Sequence, residues 1–142
     1  MVAPTRGEQM AYPRLYVDFL YYFNVEQDYY ECHEVLEELW LEEGRERFYQ
    51  GLLQVAVGLY HQRNGNLGGA VKLWTAALEK LAAYPEPEWM GIDMAGVIKE
   101  TEARLAAIKE GRPGTCGTMQ IRIVDERLRS AVRQRFMAEE GE

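Results

Sequence analysis

Apolar residues recur along most of this chain at three- and four-residue intervals, the spacing of one face of an α-helix. The pattern predicts an aromatic-rich first helix over about Tyr12 to Phe23, after a start broken by Pro4 and Pro13. Asn24, with Gln27 three residues on, reads as the N-cap of a second helix from about Val25 to Glu43 that stops at Gly44. A third runs from about Glu46 to Asn64 and ends at Gly65; a fourth, capped by Asn66, covers about Leu67 to Tyr84 and meets Pro85 and Pro87. After the loop PEPEWMG comes a fifth, about Asp93 to Glu110, closed by Gly111 and Pro113. Gly114 to Gly117 reads as loop, Met119 to Val124 as extended, and Asp125 to Glu140 as a charged, peripheral helix. The expected fold is all-α: one compact multihelical bundle of about five to six helices, with its core in about 12–110 and a loop plus peripheral helix in 111–142.

Placing residues at about 100° intervals shows what each helix faces. In the fourth, Leu67, Ala70, Trp74, Ala77, Leu78 and Leu81 share one side, and Lys72, Thr75, Glu79 and Lys80 the other. That is an amphipathic helix on the outside of a bundle. The third has Phe48, Leu52, Leu53, Val55, Ala56, Val57, Leu59 and Tyr60 and hardly any polar face. Gly51 and Gly58 sacrifice helix propensity but let a neighbour approach closely. Such a helix belongs at the centre.

The polar residues that a central helix keeps are therefore informative. Gln50, Gln54 and His61 fall within about 40° of one another and must find partners, because an unsatisfied buried polar group costs about 1–3 kcal/mol. On the second helix, His33 and Glu37 stand one turn apart at the edge of an apolar arc, with Trp40 a further turn along. The chain's two histidines thus lie on polar stripes of adjacent helices. Two neutral imidazoles and a carboxylate are a donor set for zinc or another first-row divalent metal. The zinc-protease helix is not matched, because Glu37 stands where that motif needs a second His. Nor is a ferritin-type site, which needs Glu where Tyr30 and Gly58 stand. A structural reading stands beside the metal one: His33 and Glu37 bond to each other, and Gln50 and Gln54 complete a network that only specifies the core.

Composition narrows the classes of function. The 142 residues are the length of one ordinary domain, and 47% hydrophobic with 27% charged residues is the balance of a folded chain. Sixteen basic against 23 acidic side chains give a net charge of −7, which argues against non-specific nucleic-acid binding. The excess negative charge lies upstream of Arg112, and Arg127, Arg129, Arg133 and Arg135 make the last helix locally basic. Cys32 and Cys116 form no disulfide framework. The apolar runs are too short to span a bilayer, and no apolar signal core opens the chain, so no membrane partner and a cytoplasmic location are expected.

The string YYECHEVLEELW, followed by FYQGLLQVAVGLYHQRNGNLGGAVKLW, resembles the family called domain of unknown function 309. Its members are small bacterial and archaeal helical proteins with a His-x-x-x-Glu-x-x-Trp/Tyr motif, met here by His33, Glu37 and Trp40. Phe23-Asn24, the string from Gln50 to Gln54 and the turn Gly65-Asn66-Leu67 also look like the family pattern, over roughly residues 15–84. The resemblance implies an all-α bundle and a motif that serves function, metal binding among the options.

The expected site is therefore a polar pocket between helices two and three. His33, Glu37 and His61 would hold a divalent metal or small molecule, with Gln50, Gln54 and Trp40 around it. If the chain is an enzyme, a hydrolase is expected, with Glu37 as metal ligand or general base and the metal activating water. The rival is a non-catalytic module that binds a partner or forms a homo-oligomer through the tyrosine-rich first helix (Tyr12, Tyr16, Tyr21, Tyr22).

Overall fold

The computed structural model describes residues 12–114 and 116–140. Six α-helices dominate it: α1 (Arg14–Tyr21), α2 (Tyr29–Glu42), α3 (Arg47–Arg63), α4 (Leu67–Leu81), α5 (Met94–Lys109) and α6 (Glu126–Glu140). The fold is all-α and multihelical, as the periodicity predicts. The expected break at Pro4 lies outside the described residues.

The central helix is α3, packed between α2 and α4. Phe48, Leu52, Val55, Ala56 and Leu59 are buried along it. Its two glycines admit the neighbouring helix. A Cβ at Gly51 would lie 2.6 Å from Leu81 Cδ2, and one at Gly58 would overlap Trp74 Nε1 and Cδ1. The indole settles there and donates to the Val55 carbonyl at 3.1 Å. Trp74 thus fills the core with its polar atom satisfied.

The join between α1 and α2 departs from expectation. Instead of stopping before Asn24, the first helix widens into a π-helical turn, Tyr22–Glu26, and ends at Gln27 in the left-handed region (φ 54°). The N-cap of α2 is Asp28, whose carboxylate accepts from the Glu31 N–H at 3.1 Å. Asn24 is committed elsewhere: its amide Nδ2 donates to the Ile121 carbonyl and its Oδ1 accepts from the Ile121 N–H, both at 2.9 Å. An Asn that clamps a distant strand-like segment cannot cap a helix. A carboxylate at position 28 also suits the positive end of the α2 dipole.

The PEPEWMG loop and the two residues after it form a minimal hairpin, β1 (Glu88–Trp89) against β2 (Ile92–Asp93). Its turn residues Met90 and Gly91 both have positive φ, as a two-residue hairpin of the right twist requires. The expected extended segment runs beside it, with an antiparallel bridge between Ile92 and Ile123 and a Val124 N–H donating to the Gly91 carbonyl. Met119 and Ile121 are buried. The last helix is less peripheral than its charge suggests. Leu128 and Val132 are buried, and Arg135 leaves solvent to pair with Asp18 at 3.1 Å and to cover the Tyr21 ring at 4.4 Å.

Candidate functional site

The αα-hairpin of α2 and α3 carries every residue that the sequence marks as chemical. Its turn, residues 43–46, is short, so the helices run antiparallel and the His33 end of α2 meets the His61 end of α3. There the two histidines line one small cavity of about 160 Å³, with Tyr29, Tyr30, Val57 and Tyr60 as the other walls. Ring centroids step around it: His33 to Tyr30 at 6.5 Å, Tyr30 to Tyr60 at 6.2 Å, Tyr60 to His61 at 6.1 Å. The accessible walls are almost wholly apolar, the rings presenting carbon to the cavity.

Each imidazole is held through Nδ1, in a different sense. His33 Nδ1 lies 3.2 Å from Glu34 Oε2, so in the neutral ring a carboxylate acceptor draws the proton to Nδ1. His61 Nδ1 lies 3.4 Å from Asn66 Nδ2. Asn66 caps α4, its Oδ1 accepting from the Gly69 N–H at 2.9 Å, which turns its amide nitrogen toward His61. An amide N–H donor beside Nδ1 of His61 favours the neutral ring that carries its proton on Nε2. The arrangement depends on Gly69, where a Cβ would lie 2.6 Å from Asn66 Nδ2 and 3.0 Å from His61 Cγ. In the tautomers these contacts favour, Nε2 of His33 is an acceptor and Nε2 of His61 a donor.

Glu37 stands apart from this pair. It is exposed, and the carboxylate that reaches His33 is Glu34, not Glu37 as the i, i+4 spacing suggests. A hydrated carboxylate gains nothing by entering an aromatic cavity, where its charge would be desolvated. Among the described residues no three His, Cys, Asp or Glu side chains group as a metal centre. The donor set is thus two imidazoles, one of them with its proton at the free nitrogen.

Trp40, Gln50 and Gln54 lie half-buried further along the hairpin. Arg45 covers the Trp40 ring at 5.1 Å. Trp40 Nε1 and Gln54 Oε1 are buried without a hydrogen-bond partner among the described residues, leaving a donor and an acceptor on adjacent helices unsatisfied. The tyrosines of the pocket were not singled out by sequence, although Tyr30 lies three residues before His33 and Tyr60 adjoins His61. A larger hollow of about 560 Å³, with Tyr12, Tyr49, Trp89 and Asp125 in its walls, has neither histidine among its lining residues.

The tyrosine-rich first helix is not the free surface expected of it. Tyr16 and Tyr21 are buried and Tyr22 is half-buried, because these rings pack inward and against α6. No helix among the described residues is long and apolar enough to cross a membrane.

Comparison with known proteins places the hairpin in a wider group. Residues 16–73, which include the whole of the pocket, match a family described as a domain of unknown function (DUF309). Over 126 residues the chain is 34% identical to a protein of Bacillus subtilis (strain 168) named uncharacterized protein YpuF, covering 86% of this chain and 71% of the other. It is 29% identical over 89 residues to an uncharacterized protein of Aquifex aeolicus (strain VF5), covering 61% of this chain and 26% of that one.

Proposed function

Since the chain belongs to the DUF309 family, a domain of unknown function, we propose that it is a small-ligand-binding helical domain whose site is the cavity shared by His33 and His61. The observation that carries this reading is that the only two histidines in the sequence, 28 positions apart, line the same cavity. Ligand sites are concave, mostly apolar and equipped with a few convergent polar groups. This cavity is concave and almost wholly apolar, and His33 and His61 are the residues in its wall that could turn a polar atom to a ligand. At about 160 Å³ it suits a ligand of roughly one ring, given about 30 Å³ for each water in the liquid. Tyr30 and Tyr60 offer faces for stacking, His33 Nε2 accepts a hydrogen bond and His61 Nε2–H donates one. The preferred ligand is thus a compact heterocycle or amide with a donor and an acceptor. If a reaction follows binding, His33 is placed by its tautomer as base and His61 as acid.

A divalent-metal site of His33, Glu37 and His61 is the second reading. Glu34 at Nδ1 of His33 favours it, since carboxylates commonly orient metal-bound imidazoles in this way. It requires Glu37 to turn from solvent to the cavity and His61 to give up the Nε2 proton that Asn66 favours. As arranged, the described residues bring no three such ligands together.

One experiment separates the readings. Single-ring fragments are screened by ligand-observed NMR against protein made without an affinity tag, alongside elemental analysis and a zinc titration. The ligand reading expects fragments with a donor and an acceptor to bind, at least tenfold more weakly to His33→Ala and His61→Ala, and no stoichiometric metal. Stoichiometric metal lost in both histidine variants and in Glu37→Ala would establish the second reading instead. Fragment binding that ignores both histidines would refute the first.

A further inference from the structure

One patch of exposed apolar surface lies at α6 and the π-turn beside it. Val25 (41% exposed), Phe136 (38%) and Met137 (62%) are three of the seven large apolar side chains exposed among the described residues. Val25 and Phe136 line one groove of about 340 Å³, together with Asn24, Ile123, Arg129, Val132 and Arg133. The α6 residues in that set, Arg129, Val132, Arg133 and Phe136, form an i, i+3, i+4, i+7 stripe, the spacing by which a helix presents itself to another helix. Arg133 is exposed and makes no ion pair among the described residues.

The charge order along α6 says what covers this stripe. Arginines stand at 127, 129, 133 and 135, and the sequence then turns acidic at Glu139, Glu140 and Glu142. A two-fold axis demands a surface complementary to itself and lays equivalent helices antiparallel when it crosses them near a right angle. A helix that is basic and then acidic is complementary to its own reversed copy. Arg133 and Glu139 lie three residues either side of Phe136, so an antiparallel pairing centred on Phe136 sets each Arg133 opposite Glu139 of the other copy. Glu139 Oε1 is engaged by Arg135 at 3.1 Å in its own chain, and Oε2 remains for a second guanidinium.

We propose that this groove is one half of a two-fold contact between two copies of the chain. Phe136 lies near the axis against the Val25–Ile123 wall, and Arg133 of each copy pairs with Glu139 of the other. This surface replaces the first-helix tyrosines, of which Tyr16 and Tyr21 are buried and Tyr12 and Tyr22 half-buried.

The test is sedimentation equilibrium of the full chain over a wide concentration range. Phe136→Asp and Arg133→Glu are measured in parallel, with thermal unfolding to confirm that each variant folds. The parent is expected to dimerise, and each substitution to weaken dimerisation at least tenfold with little change in Tm, because both side chains are exposed. The charge swap Arg133→Glu with Glu139→Arg is expected to recover dimerisation relative to Arg133→Glu alone. Phe136→Cys is expected to cross-link to itself on mild oxidation faster than Gln134→Cys, which lies about 160° around the helix. A parent that stays monomeric throughout, whatever else the groove captures, would overturn the proposal. So would a dimer indifferent to Phe136→Asp.

Discussion

Gly58 and Trp74 occupy one space: the absent Cβ of the glycine is where the indole nitrogen passes to reach the Val55 carbonyl. This contact joins α3 to α4 and so fixes the helix on which His61 stands against the helix whose cap orients it. Gly58→Ala is expected to destabilise the chain by about 2–3 kcal/mol, the cost of overpacking a filled core, together with any weakening of the indole hydrogen bond. Gly68→Ala is the control, because nothing lies within 4 Å of its added Cβ. There a gain of about 0.5–1 kcal/mol is expected from helix propensity. Chemical denaturation of the two variants checks both signs.

Asn24 ties the π-turn to Ile121 with a reciprocal pair of hydrogen bonds. Asn24→Ala removes both side-chain partners and leaves a backbone N–H and a carbonyl beside a partly buried contact. A loss of about 1–3 kcal/mol is expected, and amide exchange should accelerate first in residues 119–124. Uniform acceleration across the whole chain would refute a local clamp.

The two cysteines should separate cleanly by reactivity. Burial pushes the Cys32 thiol far above its ordinary value, with Asp28 and Glu31 adding to the effect, whereas Cys116 is only half-buried. Titration with a thiol reagent at neutral pH is expected to give one fast equivalent, lost in Cys116→Ser, and a second only on unfolding.

Several phenols make the fold sensitive to alkali, Tyr12, Tyr21 and Tyr49 among them. Burial and the hydrogen bond to Asp125 raise Tyr12 to about 12. The hydrogen bond to Glu26 and burial do the same for Tyr21, and burial with the Glu43 and Glu46 carboxylates for Tyr49. Each folded-state pKa lies above the unfolded value of 10.0, so the neutral phenol is the form that the fold favours. Their contribution is complete below pH 10 and declines as pH rises toward 12. Denaturation midpoints measured across that window should fall with pH, and less steeply in Tyr12→Phe.

Much of this architecture was legible because helix ends announce themselves in the chain. Gly44 and Gly65 take positive φ where α2 and α3 were expected to stop, and Asn66 caps α4 as read. Asn24 misled because its side chain answers to Ile121, 97 residues away, and no local rule encodes that partner. The same limit applies at the site. Helical spacing put His33 and His61 on adjacent stripes, and they do line one cavity. It could not tell that His33 would lean to Glu34 instead of Glu37, since that choice depends on solvent and rotamer. Nor could it show that Asn66, recognised as a cap, also sets the tautomer of His61.

That last relationship is the most direct test of the account. A long-range nitrogen–proton spectrum of the imidazoles, recorded at a pH where both rings are neutral, reports which nitrogen holds each proton. The arrangement predicts opposite forms, with the proton on Nδ1 in His33 and on Nε2 in His61, and a loss of the His61 preference in Asn66→Asp. Two rings in the same form, or a His61 indifferent to residue 66, would contradict it.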